Sequence, residues 1–200
     1  NIKKNHSINL MPAIDFLMKA VDLKPTDLDR ISVAQGPGSY TGLRVAVATA
    51  KTLAYTLNIE LVGVSSLYAL AAVADFDGLV VPVIDARRNN VYAGFYKDGQ
   101  SLKDDQRMNF VDVLEAVKDE ESVMFVGEVA NFSDQIAESL PQAKVLSVLP
   151  SAYAIGKRGQ ELQPVDVDSF VPSYLKRVEA EENWLKTHIE NPSANYVNRI

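Results

Sequence analysis

The sequence contains no cysteine and only two histidines among its 200 residues. Disulfide bonds, thiolate nucleophiles and cysteine-ligated metals are therefore excluded. His6 and His188 lie far apart in the sequence, which argues against a histidine-based metal site. The lack of cysteine also fits a cytoplasmic protein, and we expect that location. No apolar run reaches the length that spans a bilayer, so we expect no association with a membrane.

Positive charge is also in short supply, because 20 Lys and Arg stand against 26 Asp and Glu, for a net charge of −6. Neutralising a row of phosphates requires clustered cations, so broad unassisted binding to nucleic acid is not expected. The composition, with 47% hydrophobic and 23% charged residues, is that of an ordinary soluble globular protein. The chain opens on Asn1 and the polar "NIKKNHS" without an initiating methionine, so we expect a segment upstream to be missing.

Helical and strand periods alternate along most of the chain. We predict helices in "HSINLMPAIDFLMKAVDL", with Ser7 as N-cap, at Thr41–Leu57, from Ser65 or Ser66 to Val73, from Asn109 to Val117, around Phe132–Leu140 and from Ser151 to about Leu162. We predict strands at "ISVAQ", "ELVGV", Leu79–Asp85, Asn90–Tyr96, after the Asp98-Gly99 turn, and at "VMFVG" and "KVLSV". This order predicts an α/β protein with a mixed sheet. The stretch "DFDG" suggests a boundary between lobes at residues 1–76 and 77–200.

The segment "AQGPGSYTGLR" places three glycines and a proline at the start of a helix. Its glycine spacing is one residue longer than the dinucleotide fingerprint, and no Lys-Ser or Lys-Thr follows its last glycine as a phosphate loop requires. A helix N-terminus nevertheless attracts anions. Two interpretations stay open: the loop only turns the chain, with Ser39 or Thr41 as N-cap, or it contacts an anion through Gly36, Gly38, Ser39 and Thr41.

The helix after this loop is apolar on most of its sides. Leu43, Val47, Ala50 and Ala54 form one stripe at helical spacing, while Val45 and Ala48 lie on other faces. A helix of this kind is buried on most sides. Either its own chain covers it entirely, or one side is left for a partner.

Few side chains offer catalytic chemistry. Arg87 and Arg88 lie at a tight turn between two strands, where they could bind an anion, fill a cleft, contact an acidic partner or remain solvated. Asp85 could accept hydrogen bonds from that turn, but no second carboxylate is placed to form an acid–base pair with it. Ser39 does not stand in a G-x-S-x-G elbow and has no local histidine, so a serine nucleophile is not expected.

The motifs "GPGSYTGLR", "AKTLA", "GVSSLYALA" and "IDARRNNVYAGFY", together with "HSINLMPAI" and "PSYLKRVEAE", resemble the bacterial TsaB (YeaZ) family over nearly the whole chain. The resemblance implies an actin-like (ASKHA) fold of two lobes, with mixed sheets flanked by helices. The first strands of the first lobe would be missing from this sequence. It also implies a role in making threonylcarbamoyladenosine beside the anticodon of tRNAs that read codons starting with A.

In that family's system the catalytic subunit is the paralogue TsaD, TsaE is an ATPase subunit, and TsaB is a scaffold. The resemblance therefore implies pairing with TsaD and TsaE, homodimerisation without TsaD, and indirect contact with tRNA. ATP, magnesium and metal are expected in the partner subunits and no cofactor in this one. The surface expected to meet the partner consists of Ile8, Met11, Ile14 and Met18 with Arg44, Val45, Ala48 and Thr52.

Two departures bear on catalysis. The family's first strand, with its Asp-Thr-Ser and following hairpin, is not in this sequence, which weakens a nucleotide-binding role. The positions matching the metal-binding His-x-x-x-His pair of TsaD are Ser66 and Leu70, and leucine cannot ligate a cation. We therefore expect no catalytic residue in this chain. Arg87 is a further possible contact for an anion or nucleotide, beside the residues of the glycine loop. The alternative is an ASKHA-type ATPase or kinase, or a protease-like enzyme, acting on its own.

Overall fold

The structure is a computed structural model that describes residues 6–175, with side chains from Ile8 onward. Six α-helices lie in this range: α1 (His6–Ala20), α2 (Tyr40–Leu57), α3 (Ser66–Ala71), α4 (Phe110–Ala116), α5 (Ser133–Ser139) and α6 (Ala152–Glu161). Its seven strands are β1 (Arg30–Gly36), β2 (Glu60–Ser65), β3 (Leu79–Asp85), β4 (Asn90–Lys97), β5 (Gln100–Asn109), β6 (Val123–Gly127) and β7 (Lys144–Leu146). Short 3₁₀ turns occupy Pro25–Asp27 and Ala130–Phe132.

The strands form two sheets. β1 and β2 pair in parallel, joined by the crossover helix α2. The second sheet has the order β5-β4-β3-β6-β7, in which β3, β4 and β5 are antiparallel neighbours and β3, β6 and β7 are parallel. This mixed α/β arrangement confirms the predicted fold class. Asp75–Gly78, the expected boundary, joins α3 to the first strand of the second sheet.

The first sheet is covered by α2 and by the C-terminal segment. The predicted stripe of α2 is its buried face, since Leu43, Val47, Ala50 and Ala54 are the buried residues of that helix. The chain then returns from the second sheet: Val165 bridges to Leu61 of β2, and Phe170 joins the same apolar cluster. Segment 165–174 therefore packs on the first sheet although it follows the second in sequence.

The second sheet encloses the larger core. β3 is buried along Leu79–Val83, as its unbroken apolar run predicts for a central strand. Three aromatic rings from α4, β6 and the second 3₁₀ turn pack beneath it, with Phe110 4.3 Å from Phe132 and 5.9 Å from Phe125 between ring centroids. Contacts of this kind stabilise beyond the area they bury.

Helix α6 is tied to the first sheet by one arginine. Arg30 of β1 donates to the carbonyls of Gly159 and Leu162 at 2.6 and 3.1 Å, and it also pairs with Glu60 of β2. Unpaired carbonyls at a helix end attract cations in this way. The side chain thus fixes the C-terminus of α6 beside β1.

Several predicted boundaries were wrong. Ser7 lies inside α1 instead of capping it, because the backbone is already helical at His6 and an N-cap requires a non-helical conformation. The third helix ends at Ala71 instead of Val73, and "KVLSV" contributes only the three residues of the edge strand β7. Ser39, Ser65, Asn109 and Ser151 act as N-caps. No helix within residues 6–175 is long and apolar enough to cross a bilayer.

Candidate functional site

Helix α1 presents apolar side chains to solvent. Leu10, Ile14 and Met18, spaced four residues apart, are half-buried where α1 lies against α2. The other large apolar residues of the helix are exposed, among them Ile8 (65%), Met11 (47%), Phe16 (69%) and Leu17 (63%). The sequence pattern identified Ile8 and Met11 but missed Phe16 and Leu17. Exposed apolar patches of this kind are typical of surfaces at which soluble proteins bind partners.

The adjoining face of α2 is made of small residues. Ala48 and Thr52 are exposed and Val45 is half-buried, while the Thr52 hydroxyl is satisfied by donating to the carbonyl of Ala48 at 2.9 Å. Small side chains let a neighbouring helix approach closely, because the interaxial distance depends on the residues at the contact. Helices α1 and α2 contact each other, and we call the exposed and half-buried residues predicted on them the α1–α2 face (Ile8, Met11, Ile14, Met18, Val45, Ala48 and Thr52).

The glycine loop between β1 and α2 is covered by the chain's own C-terminal segment. A Cβ on Gly36, whose φ is +124°, would lie 2.5 Å from the carbonyl oxygen of Ser173, and the Ser173 amide donates to Gln35 O at 2.7 Å. Ser39 caps the helix by accepting from the Gly42 amide at 3.5 Å. The glycine therefore allows a close approach of backbone, as glycine does where a side chain cannot fit. The anion contact at Gly38, Ser39 and Thr41 stays a prediction.

An aromatic and cationic cluster marks the N-terminal end of α2. The ring of Tyr174 lies 5.3 Å from that of Tyr40 between centroids, and Arg44 lies over Tyr40 at 5.4 Å while donating to its hydroxyl at 3.1 Å. Further along the helix, Lys51 donates to the carbonyls of Asp168 and Phe170. Tyr40 and Lys51 therefore hold the C-terminal segment along α2, and the predicted interface residue Arg44 contacts Tyr40.

The β3–β4 turn carries Arg87 and Arg88, both exposed. Asp85, at the end of β3, accepts from the Arg87 amide at 2.7 Å through Oδ1 and from Asn131 Nδ2 at 3.0 Å through Oδ2. The predicted role of Asp85 in holding the turn is confirmed. The turn belongs to the second sheet, whereas the glycine loop follows β1 of the first, so the proposed anion contacts are divided between two sheets.

A partly buried polar cluster connects the two sheets. Ser65, at the end of β2, donates to Asp105 Oδ2 at 2.5 Å, and Tyr96 donates to Oδ1 at 3.1 Å. Burial raises the pKa of Asp105, an effect that the hydrogen bonds from Ser65 and Tyr96 partly oppose. Burial and the charge of Asp105 also raise the pKa of Tyr96, which keeps it neutral as a donor. Sequence reasoning missed this cluster because its members are far apart in the chain.

The two positions where the resemblance places metal-binding histidines are part of the interior. Ser66 is 7% exposed and Leu70 is 2% exposed. Leu70 packs with Val80, Tyr96 and Val126, and a Cβ on Gly127 would lie 3.0 Å from one of its methyl groups. Within the described residues no group of three or more His, Asp or Glu side chains could hold a metal ion.

The sheets and helices define the class of protein. The family model described as "TsaD: tRNA N6-adenosine threonylcarbamoyltransferase" matches residues 1–184, and the two sheets flanked by helices are those of the actin-like (ASKHA) class. The chain is also 40% identical over 197 residues to the "tRNA threonylcarbamoyladenosine biosynthesis protein TsaB" of Bacillus subtilis, an alignment covering 93% of this chain and 86% of that protein. Within the actin-like class, the chain belongs to the TsaB (YeaZ) family.

Other relatives agree with this assignment. The TsaB protein of Escherichia coli strain K12 is 29% identical over 97 residues, which cover 47% of this chain and 42% of that protein. Among solved structures, YeaZ from Pseudomonas aeruginosa superposes with a TM-score of 0.70 at 25% identity, covering 87% of this chain and 88% of that one.

Proposed function

We propose that this protein is a non-catalytic subunit in the biosynthesis of threonylcarbamoyladenosine in tRNA, and that it pairs through the α1–α2 face with the catalytic subunit TsaD. The observation that carries the proposal is that face, where Ile8 and Met11 of α1 and the small residues Ala48 and Thr52 of α2 are exposed. Support for the pathway comes from the relative of Bacillus subtilis, whose name includes threonylcarbamoyladenosine biosynthesis.

The kinship with TsaD favours a symmetric mode of pairing. Since a TsaD family model matches residues 1–184 of this chain, we expect TsaD to share its architecture and to have counterparts of α1 and α2. Two such helix pairs can pack face to face about an approximate two-fold axis, as identical subunits do in closed dimers. The same surface would then serve a homodimer when TsaD is absent and a heterodimer when it is present.

The non-catalytic role is supported by the contacts of the potential reactive groups. Leu70 fills the core at one expected metal position. The Ser65 hydroxyl donates its proton to Asp105 and accepts from the amides of Leu67 and Tyr68, so it has little capacity left to attack a substrate. We propose TsaE as a second partner. ATP, magnesium and the catalytic metal would be held by TsaD and TsaE, and the complex would act in the cytoplasm.

Reconstitution tests this proposal directly. TsaD, TsaE and unmodified tRNA are incubated with ATP and the other substrates, with and without this protein, and modified adenosine is quantified by mass spectrometry. We expect modification to depend on the protein and to be lost with Met11→Glu. Equal modification without it would overturn the proposal. In parallel, turnover of ATP by the isolated full-length chain in the presence of magnesium would favour the alternative of an independent ASKHA-type enzyme.

A further inference from the structure

The β3–β4 turn has an unusual backbone. Arg87, Arg88 and Asn89 all have positive φ, at 66°, 54° and 56°. Residues with a Cβ pay for this left-handed conformation, and three in succession without a glycine form a costly turn. Such conformations persist only where the surroundings determine them, and they concentrate at functional sites.

Side chains from five elements hold this turn in place. Asn90 donates to the carbonyls of Arg87 and Arg88 at 3.2 and 2.9 Å. Asn89 accepts from Gln135 of α5 at 2.9 Å and donates to Asn109 at 3.3 Å. With the Asp85 contacts from β3 and Asn131, these bonds fix both the position and the direction of the turn.

The two guanidinium groups are the part of the turn that this network leaves unused. Both arginines are exposed, and within residues 6–175 neither guanidinium has a hydrogen-bond or ion-pair partner. Two acidic groups next to the turn are hydrogen-bonded to other partners, since Asp85 accepts from the Arg87 amide and Asn131, and Glu128 accepts from the Asp85 amide at 2.9 Å. Among the described residues, the turn thus presents two cations without a charged partner from a fixed backbone.

We propose that Arg87 and Arg88 form a phosphate clamp that contacts the sugar–phosphate backbone of the tRNA, an inference that rests on the proposed function. Guanidinium groups match phosphate oxygens in charge and geometry, and a fixed backbone lowers the entropy lost on binding. A free nucleotide requires a concave site, whereas exposed arginines at a turn can reach a polynucleotide lying across the surface. Phosphate contacts of this kind position an RNA without reading its sequence.

Salt dependence provides the sharpest test. Labelled unmodified tRNA is titrated with the complex of full-length protein and TsaD at salt concentrations from about 50 to about 200 mM, and the slope of log K against log salt is measured. The variant Arg87→Gln/Arg88→Gln removes two phosphate contacts and should reduce the slope by about 1.8. Over that range the wild-type complex should therefore lose about tenfold more affinity than the variant. The control is Lys97→Gln/Lys157→Gln, which removes the same charge at two exposed sites.

The outcomes separate the possible ligands. The clamp is supported if only the arginine variant changes the slope and if neither ATP nor inorganic phosphate displaces tRNA at millimolar concentrations. Equal slopes for both variants, displacement by ATP, or loss of TsaD co-purification with unchanged tRNA binding would each overturn it. Titration of the chain alone is added so that failure to pair with TsaD, which contradicts the proposed function, is distinguished from failure of the clamp.

Discussion

Ser65 Oγ donates a hydrogen bond to Asp105 Oδ2 at 2.5 Å, and this contact joins the end of β2 in the first sheet to the edge strand β5 of the second. The same hydroxyl accepts from the amides of Leu67 and Tyr68, so it also caps α3 between the sheets. One serine therefore links the start of a helix to a carboxylate of the other lobe.

Asp105 should make folding depend on pH in a predictable direction. Burial raises its pKa, whereas the carboxyl of the unfolded chain titrates near about 3.9. The folded state consequently holds more protons than the unfolded state just above that pH. The contribution of this carboxyl to the free energy of unfolding is therefore lost as the pH rises through the folded pKa. Asp105→Asn stays neutral throughout. The unfolding free energy of the wild type minus that of the variant should therefore fall as pH rises from about 4 to about 7.

Urea denaturation at a series of pH values measures this difference. Asp75→Asn, at an exposed position in the loop after α3, is the matched control and should run parallel to the wild type. A difference that stays constant for Asp105→Asn, or that increases with pH, would show that the carboxylate is not destabilised by burial.

Two glycines of α6 provide a paired test of how that helix packs. A Cβ on Gly159 would lie 1.9 Å from Ser32 Oγ and 2.7 Å from Ser32 Cβ, whereas a Cβ on Gly156 would meet nothing within 4 Å. Gly159→Ala should lower the free energy of unfolding by about 1–3 kcal/mol through overpacking. Gly156→Ala should raise it by up to about 1 kcal/mol, since alanine favours the helix.

Thermal or urea unfolding of the two variants checks this prediction, and Ser32→Gly combined with Gly159→Ala should restore part of the loss. Equal effects of the two alanines would mean that α6 does not approach β1 at Gly159 as closely as the structure shows.

The glycine loop gives a second paired test. Gly36→Ala introduces a Cβ at positive φ and 2.5 Å from Ser173 O, so it should destabilise the protein by about 2–3 kcal/mol and release the C-terminal segment. Gly38→Ala meets only Leu43 atoms at 3.9 Å and should change stability by less than about 1 kcal/mol. Limited proteolysis after Tyr174, compared between the two variants, reports release of the segment. Similar protection in both would contradict the close approach at Gly36.

Local signals predicted the elements better than the contacts between them. The apolar stripe of α2, the buried apolar run of β3 and the Asp98-Gly99 turn each depend on residues that are close in the sequence, and all three were confirmed. The N-caps Ser39 and Asn109 could likewise be predicted from the sequence, because a capping side chain accepts hydrogen bonds from amides two or three residues away.

What the sequence did not reveal depends on distant parts of the chain. Ser65 and Asp105 are 40 residues apart, and nothing local to either predicts their contact. Phe16 and Leu17 escaped notice because exposure is a property of the folded surface, which periodicity alone does not give. The packing of Phe170 on the first sheet was missed for the same reason, because no periodic pattern in the C-terminal segment indicates which sheet it contacts.

The most direct test of the central claim is co-purification of tagged TsaD with variants of the α1–α2 face. Met11→Glu and Ala48→Glu place charge on exposed positions of that face, whereas Tyr153→Glu does so at a 78% exposed residue of α6. The account predicts that the first two variants remain folded, by circular dichroism, and fall at least about tenfold in TsaD binding, while Tyr153→Glu binds like the wild type. Wild-type binding by folded Met11→Glu and Ala48→Glu proteins would contradict it.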